Sequence, residues 1–402
     1  MKTVGIIAEY NPFHTGHKYQ LDQIRQKLNA DYIVIAMSGD FVQRGTPALF
    51  SKYVRTRMAL SCGADLVVEL PVSVSTASAE GFAKGAVHLL SGLGVTDVLC
   101  FGSESTDTQL LMELARILVN EPEEYRQLLT QGLKEGLSFP AARSRALSLY
   151  TNNPQLSALL LKPNTILGIE YCKALFTLKS PVRPYALKRE GSGYHDTDLS
   201  DVFPSASGIR ARLFRDPATS FQQQIPAPAF SVFKKAIEEG LYLTECDLDL
   251  LYRYRLLLET PDSLQQYLDI NEDLARRICA CAWEYHTFTD FAANIKTKNV
   301  TQTRVQRALL HALLQIRHTP ATFHYAHILG FRKDSSSLLS QIKKRGSMPL
   351  LSKAADAALL LPPADNALFQ ETVFASNLYQ TLLSQKTGQP FIHECSQPVV
   401  IL

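Results

Sequence analysis

TVGIIAEYNPFHTGHKYQL, residues 3–21, sets the fold. Residues 3–8 are a short, β-branched-rich apolar run and read as a buried strand. Glu9 and Pro12 close it. The pattern over 15–28 is helical, with Leu21, Ile24 and Leu28 on one face. Two histidines, His14 and His17, thus fall between a first strand and a first helix. Working outward, YIVIAM (32–37) predicts a second strand, and 51–61 a helix with Ser51 as its cap. DLVVEL (65–70) predicts a third strand, stopped by Pro71. A helix near 77–91 follows, and then TDVLCF (96–101), a fourth strand ending at Gly102. Strands alternating with helices imply parallel βαβ units, and so an α/β fold with a Rossmann-like, doubly wound parallel sheet.

Residues 107–178 read as mainly helical, and VRPYAL (182–187) as a strand that Pro184 pushes towards a sheet edge. A Gly-containing loop, REGSGYHD, covers 189–196. PSASGIRARLF (204–214) is a loop entering a helix, capped by Ser205 or Ser207. DPATSFQQQIPAPAF reads as a linker. The expectation is two domains, 1–215 and a mostly α-helical 228–402, which suits 402 residues.

Apolar residues are 46% and charged residues 20% of the chain, as in ordinary globular proteins, so a disordered chain is not expected. The net charge of +3 is not diagnostic of a nucleic-acid binder. That average hides one segment. Within 291–350 lie Lys296, Lys298, Arg304, Arg307, Arg317, Arg332, Lys333, Lys343, Lys344 and Arg345, against the single acid Asp334. Arg304, Arg307 and His311 recur on one face of a helical pattern whose other face carries Val305, Leu309, Ala312, Leu313 and Ile316. A phosphate-binding surface is expected there rather than a merely solvated charged face. The N-terminus lacks the pattern of a signal peptide, and no stretch approaches the roughly 18 apolar residues of a membrane span. Seven scattered cysteines make no disulfide framework; a cytoplasmic location, no membrane partner and no protein-held metal follow as expectations.

Ligands of open α/β sheets sit beyond the C-terminal strand ends. His14-Thr15-Gly16-His17 lies there, at a helix start whose free N–H groups attract phosphate. Two imidazoles on one turn suit electrostatic stabilisation of a phosphorus centre under attack. Ser205-Ala-Ser-Gly-Ile-Arg210 opens another helix in the same manner. Each piece alone is explained by surface histidines or a capped helix; together they are more specific.

The two pieces resemble the His-x-Gly-His and Ile-Ser-Ser-Thr-x-Ile-Arg motifs of nucleotidylyltransferases, with Gly208 read at the Thr position. GIIAEYNPFHTGHKYQL, MSGDFVQRGTPALFSK, GADLVVELP, FGSE, KPNTILGIEY, KREGSGYHD and PSASGIR, in that order, resemble the bacterial tRNA(Met) cytidine acetate ligase family. That resemblance implies ATP as a substrate, with Mg²⁺ accompanying it and no tightly bound cofactor. Acetate attacks ATP to give acetyl-adenylate and pyrophosphate. The acetyl group passes to the wobble cytidine of elongator tRNA(Met), making N4-acetylcytidine. It further implies an ATP loop of Ile7, Ala8, Glu9, Tyr10, Asn11, Pro12, Phe13, His14, Thr15, Gly16, His17, Lys18, Tyr19 and Gln20, with Gly102, Asn164, Arg189 and Arg210 completing the ATP site. His14 and His17 would stabilise the α-phosphate, with Lys18 reaching the departing phosphates. Asp40, Gln43 and Arg44 would hold acetate or cytidine, Asp40 being the candidate base. Glu9 and Glu104 are candidates to help hold Mg²⁺. Lys296, Lys298, Arg304, Arg307, Lys343, Lys344 and Arg345 would face tRNA. Two other readings remain open: a nucleotidylyltransferase of a small phosphorylated metabolite, and a non-catalytic RNA-binding protein.

Overall fold

The structure is a computed structural model that describes residues 1–160, 162–189, 205–216, 219–298 and 300–402. Its strands, in chain order, are β1 (Thr3–Ala8), β2 (Tyr32–Ser38), β3 (Phe41–Val42), β4 (Thr46–Pro47), β5 (Leu66–Leu70), β6 (Val98–Ser103), β7 (Arg183–Lys188), β8 (Ala326–Phe331), β9 (Leu350–Leu351) and β10 (Val400–Ile401). The main sheet runs β10-β8-β5-β2-β1-β6-β7, with β9 beside β8; β3 and β4 form a small hairpin. β1, β2, β5, β6 and β7 are parallel to one another. Their apolar runs are buried because helices cover both faces. Ile33, Val34, Ile35, Ala36 and Met37 of β2 are all fully buried. Pro184 sits on the edge strand β7, where its missing donor leaves no ladder bond unmade on an inner strand.

The α/β sheet and the helix starts follow the expected pattern. The first helix spans Thr15–Leu28 and buries Leu21, Ile24 and Leu28. Ser51 caps the helix Lys52–Ser61 by accepting from Val54 N–H, and Ser205 caps Ala206–Arg215 by accepting from Gly208 N–H at 3.0 Å.

The second half departs from expectation in two places. Residues 216–230 are not a linker where they are described. Phe221 and Ile225, four apart, are buried at 3% and 1% exposure in one core with β1, β2 and the helix Lys52–Ser61. The helix Ala227–Glu238 packs on Lys52–Ser61. The region from 243 to 316 does form a helical cluster with its own core, joined by Tyr379 and Leu383 and resting on Phe41 and Val72 just past β2 and β5. The chain then returns to the sheet. β8 pairs antiparallel with β5, Glu69 opposite His327 and Leu66 opposite Phe331, and β10 pairs with β8. The expected helical unit at 228–402 therefore shares its last part with the main sheet. A six-residue apolar run such as AHILGF fits a buried strand or a helix turn equally well; its partner β5 decides.

That return divides the basic segment. β8 runs opposite to β5, so the chain leaves it at the N-terminal edge of the parallel strands. The helix Ser336–Arg345 ends there, with Ser347 N–H donating to Gly92 O before β6.

Candidate active site

A cavity of about 290 Å³ opens beyond the C-terminal ends of β1, β6 and β7. Its wall takes Ile7, Ala8, Glu9, Tyr10 and Asn11 from the end of β1 and the following loop, and His14, Gly16, His17, Tyr19 and Gln20 from the helix start. Gly102, Asn164, Arg189 and Arg210, distant in sequence, line it too. A Cβ on Gly102 would meet no protein atom within 4 Å, so this backbone faces open space.

The histidines are held by an exchange of caps. His14 is the N-cap, in extended conformation, and its Nδ1 accepts from Gly16 N–H at 3.1 Å. His17 Nδ1 accepts from His14 N–H at 3.2 Å. This is a capping box built from imidazoles. The rings lie 3.8 Å apart, and the His17 ring packs edge-on to Tyr10. Because both Nδ1 atoms accept, both protons belong on Nε2. Burial, with Arg189 adding, brings His14 down to about 3. Burial, then His14 and Arg189, holds His17 well below the ordinary histidine value. Both rings are therefore neutral N–H donors at pH 7.

Around them the wall is cationic: Arg44, Lys188, Arg189 and Arg210 line it, against Glu9, the single carboxylate among the described lining residues. Arg189 Nη1 donates to Asn164 Oδ1 at 2.8 Å, and Asn164 Nδ2 donates to Glu104 Oε1 at 2.7 Å. Glu104 Oε2 accepts from both the N–H and the hydroxyl of Thr165, so this carboxylate fastens the start of the helix Pro163–Thr177. Burial opposes its charge, yet these hydrogen bonds outweigh that and lower its pKa. Glu104 is thus committed to the helix start and is absent from the cavity wall, unlike Glu9. Arg210 Nη1 donates to Asn11 O at 2.5 Å and ties the second motif to the first. Aligned on Ile209 and Arg210, the variable motif position is Gly208 and the hydroxyl position is Ser207. Ser207 lines the cavity 3.5 Å from Arg210 Nη2, which corrects the reading of Gly208 at that position. The loop expected at 189–196 lies, from residue 190 on, outside the described residues.

Four residues of the expected ATP loop stand off the wall. Phe13 is core, Thr15 N–H donates to Gln224 O at 2.9 Å, Lys18 pairs with Asp22, and Pro12 is buried outside the cavity lining. Asp40 is the larger correction. It is 3% exposed and outside the cavity, and its Oδ1 accepts from Lys52 N–H at 2.7 Å. Burial pushes it up to about 6 against the pull of Lys52 and Arg55. Gln43 and Arg44, on the hairpin joining β3 to β4, do line the cavity.

Sequence reasoning missed Arg55. It is fully buried and spans loops: Nε donates to Phe50 O at 2.9 Å, and Nη1 to Glu9 O at 2.6 Å and Ser38 O at 3.0 Å. Nη2 reaches Gly39 O. One side chain thereby fixes the backbone after β1 and after β2. Only its place in a run of helical cations, KYVRTR, marked it.

The expected RNA face is also rearranged. Gly45, with φ +76°, packs where any Cβ would strike Arg307 N at 2.4 Å, so the Gln43–Arg44 hairpin abuts the helix Gln302–Leu314. Arg307 Nε pairs with Asp269 Oδ2 at 2.8 Å, and Arg304 Nε donates to Asp269 O at 3.4 Å. His311 is no surface cation. It is fully buried between Leu268 O and Thr76 O, and burial lowers its pKa. Lys296 and Lys298 are exposed beside this cluster. Lys343, Lys344 and Arg345 are exposed too, but at the sheet edge opposite the cavity, because β8 carries the chain there.

The chain matches the model of the HIGH Nucleotidyl Transferase family over residues 1–391. It is 37% identical to the tRNA(Met) cytidine acetate ligase of Acetivibrio thermocellus over the whole of both chains. It is 40% identical to that of Halothermothrix orenii over 88% of this chain and 87% of the relative. The crystal structure of Thermotoga maritima TmcAL bound with alpha-thio ATP superposes with a TM-score of 0.91 at 32% identity, covering all of both chains. The chain therefore belongs to the HIGH nucleotidyl transferase family and, within it, to the tRNA(Met) cytidine acetate ligases.

Proposed function

We propose that this protein is an ATP-dependent ligase that makes acetyl-adenylate from acetate and ATP and transfers the acetyl group to N4 of the wobble cytidine of elongator tRNA(Met). The observation that carries this reading is the neutral His14–His17 pair, whose Nδ1 atoms take the backbone N–H groups and whose Nε2–H donors meet no backbone acceptor among the described residues, at a helix start in a cationic cavity. Attack of an acetate oxygen on the α-phosphorus builds charge on the phosphate oxygens. Fixed donors stabilise that charge without reorganising. Arg189, Lys188, Arg44 and Arg210 suit the departing pyrophosphate. Gly102 leaves room for nucleoside against the backbone. Mg²⁺ would ride on the phosphate oxygens of ATP, since the described lining residues offer one carboxylate and no protein-built cage.

The second step needs RNA at the same mouth. The helical cluster rests past the ends of β2 and β5, and its helix Gln302–Leu314 touches the hairpin that lines the cavity. The exposed Lys296 and Lys298 are the cations assigned to tRNA phosphates here, with Arg304 and Arg307, held by Asp269, behind them; Lys343, Lys344 and Arg345 are not. A tRNA substrate implies the cytoplasm. No helix among the described residues is long and apolar enough to cross a membrane.

The test is incorporation of labelled acetate into bulk tRNA with and without ATP. The expected result is ATP-dependent label in one tRNA, recovered as N4-acetylcytidine. ATP-dependent pyrophosphate release with a phosphorylated metabolite, and no labelled RNA, would replace this reading with a small-molecule nucleotidylyltransferase.

A further inference from the structure

Glu9 is out of place in its cavity. Four cations surround a site built for a triphosphate, yet Glu9 is the one carboxylate among the described lining residues. A fixed negative charge there repels the bare phosphates of ATP, so contact with the nucleotide alone gives no reason for it; the competing role, beside Mg²⁺, predicts a changed Mg²⁺ requirement. Nor is it a structural remnant. Gln43 N–H donates to Oε1 at 3.0 Å, and Arg55 holds the Glu9 carbonyl at 2.6 Å, so the residue is oriented from both ends. Among the described residues Oε2 accepts no hydrogen bond. Tyr171 stands beside it, 3% exposed on the cavity wall, and burial, with the Glu9 carboxylate adding, holds that hydroxyl protonated. Asp40, the other acid near this edge, is sealed away beneath Lys52.

We infer that Glu9 receives the proton of the cytidine amine during acetyl transfer. This rests on the ligase reading. The exocyclic nitrogen of cytosine carries N–H groups and little basicity, and a glutamate oxygen is a fitting acceptor for it. The amine nitrogen attacks the acyl carbon of acetyl-adenylate and an N–C bond forms. The bond from the acyl carbon to the phosphate oxygen breaks, and AMP leaves with that electron pair. The nitrogen becomes strongly acidic as it attacks, and one of its protons passes to Glu9 Oε2 and then to water. The same carboxylate, by accepting the N–H before attack, orients the amine. Gln43, which orients Glu9, sits on the hairpin that abuts the helix Gln302–Leu314. RNA docking on that helix and base positioning at Glu9 therefore share one element.

The test separates the two half-reactions in Glu9→Gln, whose amide oxygen can still accept from Gln43 N–H. Acetate-dependent ATP–pyrophosphate exchange reports the first step. Single-turnover transfer from preformed acetyl-adenylate to tRNA(Met) reports the second. Transfer is expected to fall about 100-fold or more beyond any change in exchange, the size of a lost general base. Equal losses in both steps, or a changed Mg²⁺ requirement for exchange, would assign Glu9 to the nucleotide and overturn the inference. So would transfer at the wild-type rate. Wild-type protein that makes no acetyl-adenylate or acetylates no tRNA would instead sink the ligase reading itself.

Discussion

Two polar centres are buried near the middle of this sheet, and they are built on opposite plans. At the end of β1, His14 and His17 give each Nδ1 to a backbone N–H and keep each Nε2 for the cavity. Burial keeps them neutral. Under β5 and β8, Lys52 is fully buried, with Glu69 Oε1 and Glu394 Oε1 each at 2.7 Å and Ser376 Oγ at 2.9 Å. Glu69 Oε2 meets His327 Nδ1 at 2.6 Å, and Tyr53 donates to Glu394 at 2.8 Å. Lys52 stays charged because its carboxylates outweigh the cost of burial. The clustering of Glu69, His327 and Glu394 resembles a metal site, yet an ammonium already sits among the acids. Burial of polar groups alone does not mark chemistry. The first centre leaves donors open to a cavity; the second spends its charges holding residues 327, 376 and 394 to the sheet.

Lys52→Met should break the second centre alone. It leaves Glu69 and Glu394 buried without a cation, which costs about 3–5 kcal/mol; denaturant unfolding measures it. Acetate-dependent ATP–pyrophosphate exchange per folded molecule should remain close to wild type.

His17→Ala should do the converse. Loss of one preorganised donor lowers exchange about 10²–10³-fold. Loss of the reciprocal cap costs only about 1 kcal/mol of stability. A mutant that unfolds as readily as Lys52→Met would show that the two centres are not distinct.

Asp40 sharpens the contrast, since it lies close to the charged centre and belongs to neither. Its carboxyl is raised from 3.8 to about 6 in the fold. An acid raised on folding favours the native state most at low pH, and that contribution is lost as pH rises from about 4 through 6. That change is worth about 3 kcal/mol. Asp40→Asn keeps the acceptor for Lys52 N–H and should remove this pH dependence, seen as a gain in unfolding free energy above pH 6 relative to wild type.

The smallest effect concerns pH and the histidines. Both have lowered values, so their neutral forms favour the fold fully above about 6.5, and that stability is withdrawn as pH falls below it. Exchange in the free enzyme, read as kcat/KM for ATP, should show no acid limb near 6.5. A limb there that His14→Ala abolishes would place a charged imidazole in the first step.

The amino-acid sequence by itself determined what local pattern can encode. Residues 3–8, 32–37 and 65–70 were legible as strands because apolar, β-branched runs ended at turn residues. The His-x-Gly-His turn was legible because a helix start follows a strand, and the edge position of β7 because Pro184 lacks a donor. Only the tertiary structure decided the rest. β8 became a strand because β5 offered it an open edge, and its antiparallel direction carried Lys343, Lys344 and Arg345 away from the cavity. Phe221 and Ile225, in a stretch of linker composition, became core because β1 and β2 left an apolar face to cover. Asp40 was sealed under Lys52 while Glu9 was left facing the cavity, although both follow a strand of the same parallel sheet. Each of these outcomes depends on partners tens to hundreds of residues away, which no local period or composition records.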